Sequence, residues 1–298
     1  MITLNEKSFE FLLASGMMGF DGRGPTLIHK LIYHLLEQVD LYKPDQFVKI
    51  TKTITIVSIC GPRKVWPLRD GWKNRWGLHN PGLSDFVRKY TSKIKEDDKI
   101  IISFMADNIA DIDIIIKSLS VLFPNLVAVE YNVSCPNLEN KKFKDTGFII
   151  AMCKYIVAVS KFPLILKIGK DNEYLNITKA TKGIVQAINI NSVPDGCGGI
   201  SGKIAQNVNW RIVKDLTNNT STPIIGPSVW NYDDIEKLFN LGVKAISFGS
   251  VSMIHPIRLI KEGKFGPVLP TIWTERWQKE QEEKDRFLKS SARIGGRK

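Results

Sequence analysis

Eight short apolar runs, rich in β-branched residues, alternate along this chain with eight amphipathic segments. The runs that we expect to form strands are 9–16, 46–52, 99–106, 126–135, 162–169, 185–191, 223–228 and 245–250. The helices expected between and after them are 25–38, 83–94, 108–123, 146–160, 174–183, 208–218, 232–241 and 251–262. Repeated strand–helix units favour a parallel sheet, and eight of them predict an α/β fold of the closed (β/α)₈ type, the TIM barrel.

The length of the chain agrees with one such barrel. It has 298 residues, and a barrel of this type has about 250. An open doubly wound sheet is the competing architecture, but no GxGxxG motif follows the first strand. We therefore predict a barrel domain over 1–265 and a basic helical tail over 266–298.

Composition limits the environment and the partners. The apolar runs are shorter than the roughly 18 residues of a membrane span, and the first residues lack a signal peptide's apolar stretch, so we expect a cytoplasmic protein with no membrane partner. The net charge of +12 favours anionic partners. Four scattered cysteines without a CxxC pair indicate neither a zinc site nor an iron–sulfur cluster.

Polar residues stand where the predicted strands end, which is where barrels of this type place their active sites. Lys52 and Lys167 follow apolar strand residues, so both would lose solvation in a barrel mouth and need an anionic partner, unless they extend to solvent. Glycines and serines end the last strands. Loops after the seventh and eighth strands commonly bind phosphate, although each glycine alone is typical of a turn.

Cys135 begins the loop after the fourth strand. A thiol there suits a nucleophile or a general base, but none of the four histidines is an evident partner, which disfavours a Cys–His hydrolase. The alternative is a small buried side chain, the commonest state of a free cysteine.

The segment Asn132-Val-Ser-Cys135-Pro-Asn137 resembles the signature of dihydroorotate dehydrogenases, in the soluble class whose base is a cysteine. Further matches follow in the family's order from about residue 14 to residue 250. They include Ala14-Ser-Gly16, Ile50-Thr-Lys52-Thr53, Asn74-Arg-Trp-Gly77-Leu78, Asn191-Ser192, Gly198-Gly-Ile-Ser-Gly202 and Phe248-Gly249-Ser250.

The resemblance implies an FMN enzyme that oxidises dihydroorotate to orotate in de novo pyrimidine (UMP) biosynthesis. It implies Cys135 as the general base and Lys52 as a catalytic residue close to both flavin and substrate. The substrate site would comprise Lys52, Asn74, Gly77, Leu78, Asn132, Asn137, Asn191 and Ser192. The FMN site would comprise Ala14, Ser15, Gly16, Lys52, Thr53, Asn132, Lys167, Gly199, Gly226, Gly249 and Ser250. Soluble relatives imply a homodimer and fumarate as the electron acceptor.

The chain also departs from the family's pattern. Pro227-Ser228-Val229 stands where a glycine pair is usual after the seventh strand, which removes one N–H donor from the expected phosphate site.

Two alternative functions stay open at this point. One is a tRNA-dihydrouridine synthase, which the positive charge would suit, although Ser134 stands where that family has glycine. The other is a non-catalytic barrel that binds a nucleotide or polyanion.

Overall fold

The computed structural model describes residues 1–24, 26–39, 42–75, 77–94, 97–134, 141–196, 198–254, 260–261 and 264–265. Eight parallel strands close into a barrel in chain order, and the eighth pairs with the first. They are Phe11–Leu13, Val48–Ile50, Ile100–Phe104, Ala128–Asn132, Leu164–Ile168, Ala187–Ile190, Ile224–Gly226 and Ala245–Phe248. Each lies within one predicted strand, so the predicted (β/α)₈ barrel is confirmed.

Helices surround the barrel between successive strands. They are α1 (Leu27–Gln38), α2 (Gly82–Tyr90), α3 (Ile109–Leu122), α4 (Thr146–Val159), α5 (Tyr174–Ala180), α6 (Gln206–Asn219), α7 (Asp233–Asn240) and α8 (Ser250–Ile254). Single 3₁₀ turns occur at Pro44–Gln46, Thr91–Lys93, Lys141–Lys144 and Lys203–Ala205.

The helix predicted over 251–262 is wrong at its end, because Ile260–Lys261 is a strand that pairs antiparallel with Lys264–Phe265. Helix α8 covers Ser250–Ile254, and residues 255–259 of the predicted helix lie outside the described residues.

Two apolar layers build the core. The inner layer fills the barrel with at least one side chain from each strand, namely Leu12, Val48, Ile50, Ile101, Ala128, Ile165, Ala187, Ile225 and Ala245. An amino-terminal hairpin, Ile2–Leu4 with Lys7–Phe9, adds Ile2, Leu4 and Phe9 to this cluster. The outer layer lies between the strands and the helices. The hairpin closes the amino-terminal end of the barrel, so a site belongs at the carboxyl end.

A four-stranded antiparallel sheet lies at that carboxyl end, and the apolar pattern did not predict it. Lys64–Leu68 and Gly71–Arg75 follow the second barrel strand, and Val193–Asp195 and Gly198–Gly202 follow the sixth. We call these four strands the capping sheet. Lys73 and Asp195 join its two hairpins by an ion pair of 2.6 Å.

Two features are absent from the part of the chain that the structure describes. None of the helices assigned there is long and apolar enough to cross a membrane. Those same residues contain no group of three or more His, Cys, Asp or Glu side chains that could hold a metal ion. The predicted tail over 266–298 lies outside the described residues, so the division into a barrel domain and a basic tail stays a prediction.

Candidate active site

A polar layer lies directly above the apolar filling of the barrel. Successive residues of a strand point to opposite faces, so the residue two positions after an inward apolar side chain also points inward. Counting from Ile101, Ala128, Ile165 and Ala187 of the inner cluster gives Ser103, Glu130, Lys167 and Asn189. All four are at least nine-tenths buried. The barrel therefore has a polar floor at its carboxyl end.

A chain of hydrogen bonds crosses this floor. The Asn132 amide nitrogen donates to Thr53 Oγ1 over 2.9 Å, and the Thr53 and Ser103 hydroxyls are 2.9 Å apart. Ser103 Oγ donates to Glu130 Oε1 over 2.7 Å, and Asn189 Nδ2 donates to Glu130 Oε2 over 2.6 Å. Because Asn132 supplies the hydrogen for the first bond, the Thr53 hydroxyl is free to donate to Ser103, and every bond of the chain runs towards Glu130.

Lys167 joins the floor through an ion pair. Its Nζ lies 3.9 Å from Glu130 Oε1, with 9% of the lysine side chain and none of the glutamate side chain exposed. The parallel ladder sets Lys167 opposite Asn132 on one side and Asn189 on the other. The lysine that the sequence predicted at the mouth therefore does not extend into solvent.

Lys52 lies at the end of the second barrel strand and carries a perturbed charge. Burial, followed by the Arg63 guanidinium, lowers the pKa of Lys52 to about 7. Its Nζ is 5.7 Å from the centre of the Phe20 ring. Gly16 lies against the lysine stem and has a φ of +88°, a backbone conformation that favours glycine. An ammonium that is so easily deprotonated gains most from an anionic ligand.

Amide groups form the rim beside the predicted base. Asn132 Oδ1 accepts from both the backbone nitrogen and the hydroxyl of Ser134, and Asn191 Nδ2 donates to Ser134 O over 3.1 Å. The chain thus enters the loop after Ser134 from a fixed direction. Cys135 and Asn137 lie outside the described residues, so their predicted roles stay predictions.

Four more predicted substrate residues belong to the capping sheet or its flanks. Asn74 Nδ2 donates to Gly199 O over 3.1 Å, and Ser192 Oγ is 2.9 Å from the position of a Cβ on Gly199. Gly77 and Leu78 both have φ above +50°, and a Cβ on Gly77 would come within 2.6 Å of Pro62 Cδ. Glycine at 77 and 199 therefore allows the chain to pack closely against Pro62 and Ser192.

The predicted flavin residues at the first and last strands also lie together. Ala14 N donates to Phe248 O over 2.9 Å, and a Cβ on Gly249 would lie 3.9 Å from the Ala14 Cβ. Ser15 Oγ donates to Thr51 O, and the Ser250 and Ser201 hydroxyls are 2.5 Å apart. This part of the rim is built from small side chains, which leave room for a ligand.

The loop after the seventh strand keeps a glycine-like conformation without glycine. Ser228 has a φ of +66°, and its hydroxyl accepts from Asn209 Nδ2 over 2.9 Å. Trp210 Nε1 donates to Pro227 O over 3.1 Å. Gly226 has a packing role, because a Cβ there would lie 3.0 Å from Leu238 and Val243. Its predicted contact with the flavin phosphate stays a prediction.

Sequence reasoning missed Ser103 and Glu130. Both lie inside apolar strands rather than at strand ends. A carboxylate flanked by Val129 and Tyr131, two residues before Asn132, was the available signal, because the period of two puts Glu130 and Asn132 on one face.

Comparison with protein families and characterised sequences gives one consistent result. The family model described as dihydroorotate dehydrogenase matches residues 37–229. The chain is 26% identical over 208 residues to the dihydroorotate dehydrogenase B (NAD(+)) catalytic subunit of Malacoplasma penetrans, covering 62% of this chain and 68% of that one. It is 26% identical over 209 residues to dihydroorotate dehydrogenase A (fumarate) of Lactiplantibacillus plantarum, with the same two coverages.

Solved structures agree on the fold. The dihydroorotate dehydrogenase of Eimeria tenella in complex with ferulenol superposes with a TM-score of 0.63, at 15% sequence identity, over 83% of this chain and 77% of that one. The ligand-free form of that protein gives a TM-score of 0.62, at the same identity, over 83% and 80% of the two chains. At this identity the likeness bears on the fold alone.

Proposed function

Because this chain belongs to the dihydroorotate dehydrogenase family, we propose that its barrel binds FMN and oxidises dihydroorotate to orotate, a step of pyrimidine biosynthesis. The observation that carries the proposal is the floor of the mouth, where Lys167 and several fixed amides come together from separate strands. Such a floor suits a planar ring with hydrogen-bonding edges and a ligand with negative charge.

The donor groups of the mouth fit FMN. Lys167 pairs with Glu130 at the floor, and Lys52 is a second side-chain amine, at the end of the second strand, so an electron-rich ring gains by binding there. We assign the ring to Ala14, Ser15, Gly16, Lys52, Thr53, Asn132 and Lys167, and the phosphate end to Gly199, Gly226, Gly249 and Ser250. FMN, when bound, supplies the acceptor for a hydride.

The chain's own residues bind the substrate and move a proton. Asn74, Asn132, Asn191 and Ser192 present amides and a hydroxyl to a pyrimidine ring and its carboxylate, with Gly77, Leu78 and Asn137 beside them. Lys52 supplies a positive charge for the carboxylate. Cys135, as a thiolate, accepts a proton from one ring carbon while the adjacent carbon loses a hydride, and the two losses leave the C=C bond of orotate.

The acceptor that reoxidises the flavin differs between the relatives, whose names specify fumarate in one and NAD(+) in the other. We expect fumarate, a cytoplasmic location and a homodimer, as in the soluble group that the sequence resembles. Reoxidation of reduced enzyme by fumarate and by NAD(+), measured side by side, decides the acceptor, and sedimentation equilibrium decides the oligomeric state.

The experiment that tests the proposal is the absorbance spectrum of the purified protein, before and after dihydroorotate is added without oxygen. We expect flavin bands that bleach on addition and that return with fumarate. Dihydrouridine is the matched control, since it lacks the carboxylate, and it should leave the bands unchanged. Flavin bands that dihydroorotate does not bleach would refute the substrate, and a colourless protein that does not take up FMN would refute the cofactor.

A further inference from the structure

Glu130 is a carboxylate fully enclosed in the barrel. No part of its side chain is exposed, and it accepts hydrogen bonds from Ser103 and Asn189 at 2.7 and 2.6 Å. A charge taken out of water at this depth is costly and persists only where partners compensate it. Here the third partner is the Lys167 ammonium at 3.9 Å, so the carboxylate and the lysine depend on each other.

We propose that Glu130 is a positioning residue for the reaction: it holds the Lys167 ammonium in place beneath the bound ring, and it ends the hydrogen-bond chain that orients Asn132. This inference rests on the proposed function, because it assigns Lys167 to the flavin. It adds a residue that touches neither flavin nor substrate and acts through two residues that do.

The structure also makes Glu130→Gln a clean test of charge. Asn189 Oδ1 is buried and has no hydrogen-bond partner among the described groups. When the Asn189 amide turns over, this oxygen faces residue 130 and accepts from the new amide nitrogen. Ser103 then still donates to the remaining oxygen of residue 130. The variant therefore keeps both hydrogen bonds to residue 130 and removes its negative charge.

The readout is the bound flavin. A positive charge near the ring stabilises both the reduced flavin and its adduct with sulfite. Without Glu130 the Lys167 ammonium loses the partner that holds it beneath the ring, so we expect Glu130→Gln to weaken sulfite binding by about tenfold or more and to lower the reduction potential. Lys167→Met should do the same. A potential that rises or stays unchanged in Glu130→Gln would overturn the proposal, because it would mean that Lys167 keeps its place without Glu130.

Asp98→Asn is the matched control. Asp98 also lies 3.9 Å from a lysine, Lys49, but neither residue belongs to the barrel floor. This variant removes a carboxylate from a lysine at the same separation, and both sulfite affinity and potential should stay at the values of the parent protein. A change as large as that in Glu130→Gln would show a general effect of net charge and would overturn the proposal.

A double-mutant cycle separates this inference from the proposed function. If Glu130 acts through Lys167, Glu130→Gln has no further effect on sulfite binding once Lys167→Met is present. The same cycle in urea denaturation of flavin-free protein should be non-additive, and additive losses there would overturn the inference whatever ligand the barrel binds. If dihydroorotate does not bleach the flavin, the proposed reaction is refuted. The sulfite-binding cycle and the urea-denaturation cycle can still be measured and still test the role of Glu130.

Discussion

Asn132 and Thr53 are joined by a hydrogen bond of 2.9 Å that connects the fourth barrel strand to the segment after the second. Both residues are buried, and the other end of the Asn132 amide is held by Ser134. The orientation of the amide is therefore fixed before any ligand arrives. An amide fixed in advance costs less to use in binding, because its rotamer freedom is already lost.

Thr53→Val should reduce both stability and substrate binding. The substitution keeps the shape of the side chain but removes the acceptor for Asn132 and the hydroxyl next to Ser103. We expect the free energy of unfolding to fall by about 1–3 kcal/mol, since buried donors lose their partners. The KM for dihydroorotate should rise about two- to tenfold. Urea denaturation and steady-state kinetics measure the two effects.

Thr178→Val is the matched control for that substitution. Thr178 is fully buried on α5, and its hydroxyl has no hydrogen-bond partner within the described residues. Loss of an unsatisfied hydroxyl should leave stability unchanged or raise it slightly, and KM should not move. Equal losses in both variants would show that the hydrogen bond of Thr53 contributes nothing particular.

Cys135→Ala should slow flavin reduction while leaving the flavin bound. The loss of a general base typically costs about 10²- to 10⁴-fold, and stopped-flow reduction by dihydroorotate measures it. In the parent protein the reduction rate should rise with pH, because a thiol with an ordinary pKa of about 8.5 is only a few per cent ionised at neutral pH. Reduction of Cys135→Ala at the parental rate would contradict the assignment.

Cys153→Ala serves as the control for the cysteine. Cys153 is buried on α4, where burial raises the pKa of its thiol to about 12. A thiol that stays protonated across the working pH range cannot act as a base. The variant should lose some stability from the small cavity and keep both the reduction rate and its pH dependence.

The barrel and much of its rim could be predicted from the sequence for a simple reason. Parallel strands covered on both faces are continuous apolar runs, and their ends are marked by polar residues such as Lys52 and Lys167. Glu130 was not predicted as a site residue because a single carboxylate within an apolar strand forms no repeating pattern in the sequence. Its role depends on Ser103 and Asn189, which come from other strands.

The capping sheet was missed because its strands carry no apolar alternation. Lys64–Leu68 is mostly exposed, and its pairing with Gly71–Arg75 rests on a two-residue turn at Arg69 and Asp70. The sequence Asp70-Gly71 was a usable turn signal. Only the three-dimensional structure shows that the two hairpins, far apart in sequence, form one sheet over the mouth.

Orotate binding should weaken as pH rises above about 7. The pKa of Lys52 is lowered to about 7, and a carboxylate ligand binds the ammonium form in preference to the amine. Below pH 7 Lys52 is already charged, so the affinity for orotate is constant. Above pH 7 the lysine must take up a proton when orotate binds, so the Kd for orotate rises by up to tenfold per pH unit. Titration of orotate into the holoprotein at pH 6 to 9, followed by the flavin spectrum, measures this slope.

The slope should disappear in Lys52→Met, whose affinity is lower at every pH. Lys49→Met is the control, since burial also lowers the pKa of Lys49, but this lysine pairs with Asp98 rather than with the mouth. Its pH profile should match that of the parent. A parental profile that is flat from pH 6 to 9 would contradict the role of Lys52.

Pro227→Gly should tighten FMN binding. Proline has no N–H, so the loop after the seventh strand lacks one donor towards the expected phosphate, and glycine restores it. One hydrogen bond to a charged group gives an expected gain in affinity of about tenfold. Riboflavin lacks the phosphate and should bind equally well to both proteins.

Pro223→Gly, at the amino end of the same strand, controls for added flexibility and should leave the affinities for FMN and riboflavin unchanged. Fluorescence titration of the flavin-free proteins measures them, and a parallel gain for riboflavin would place the effect on the ring and contradict a phosphate contact at residue 227.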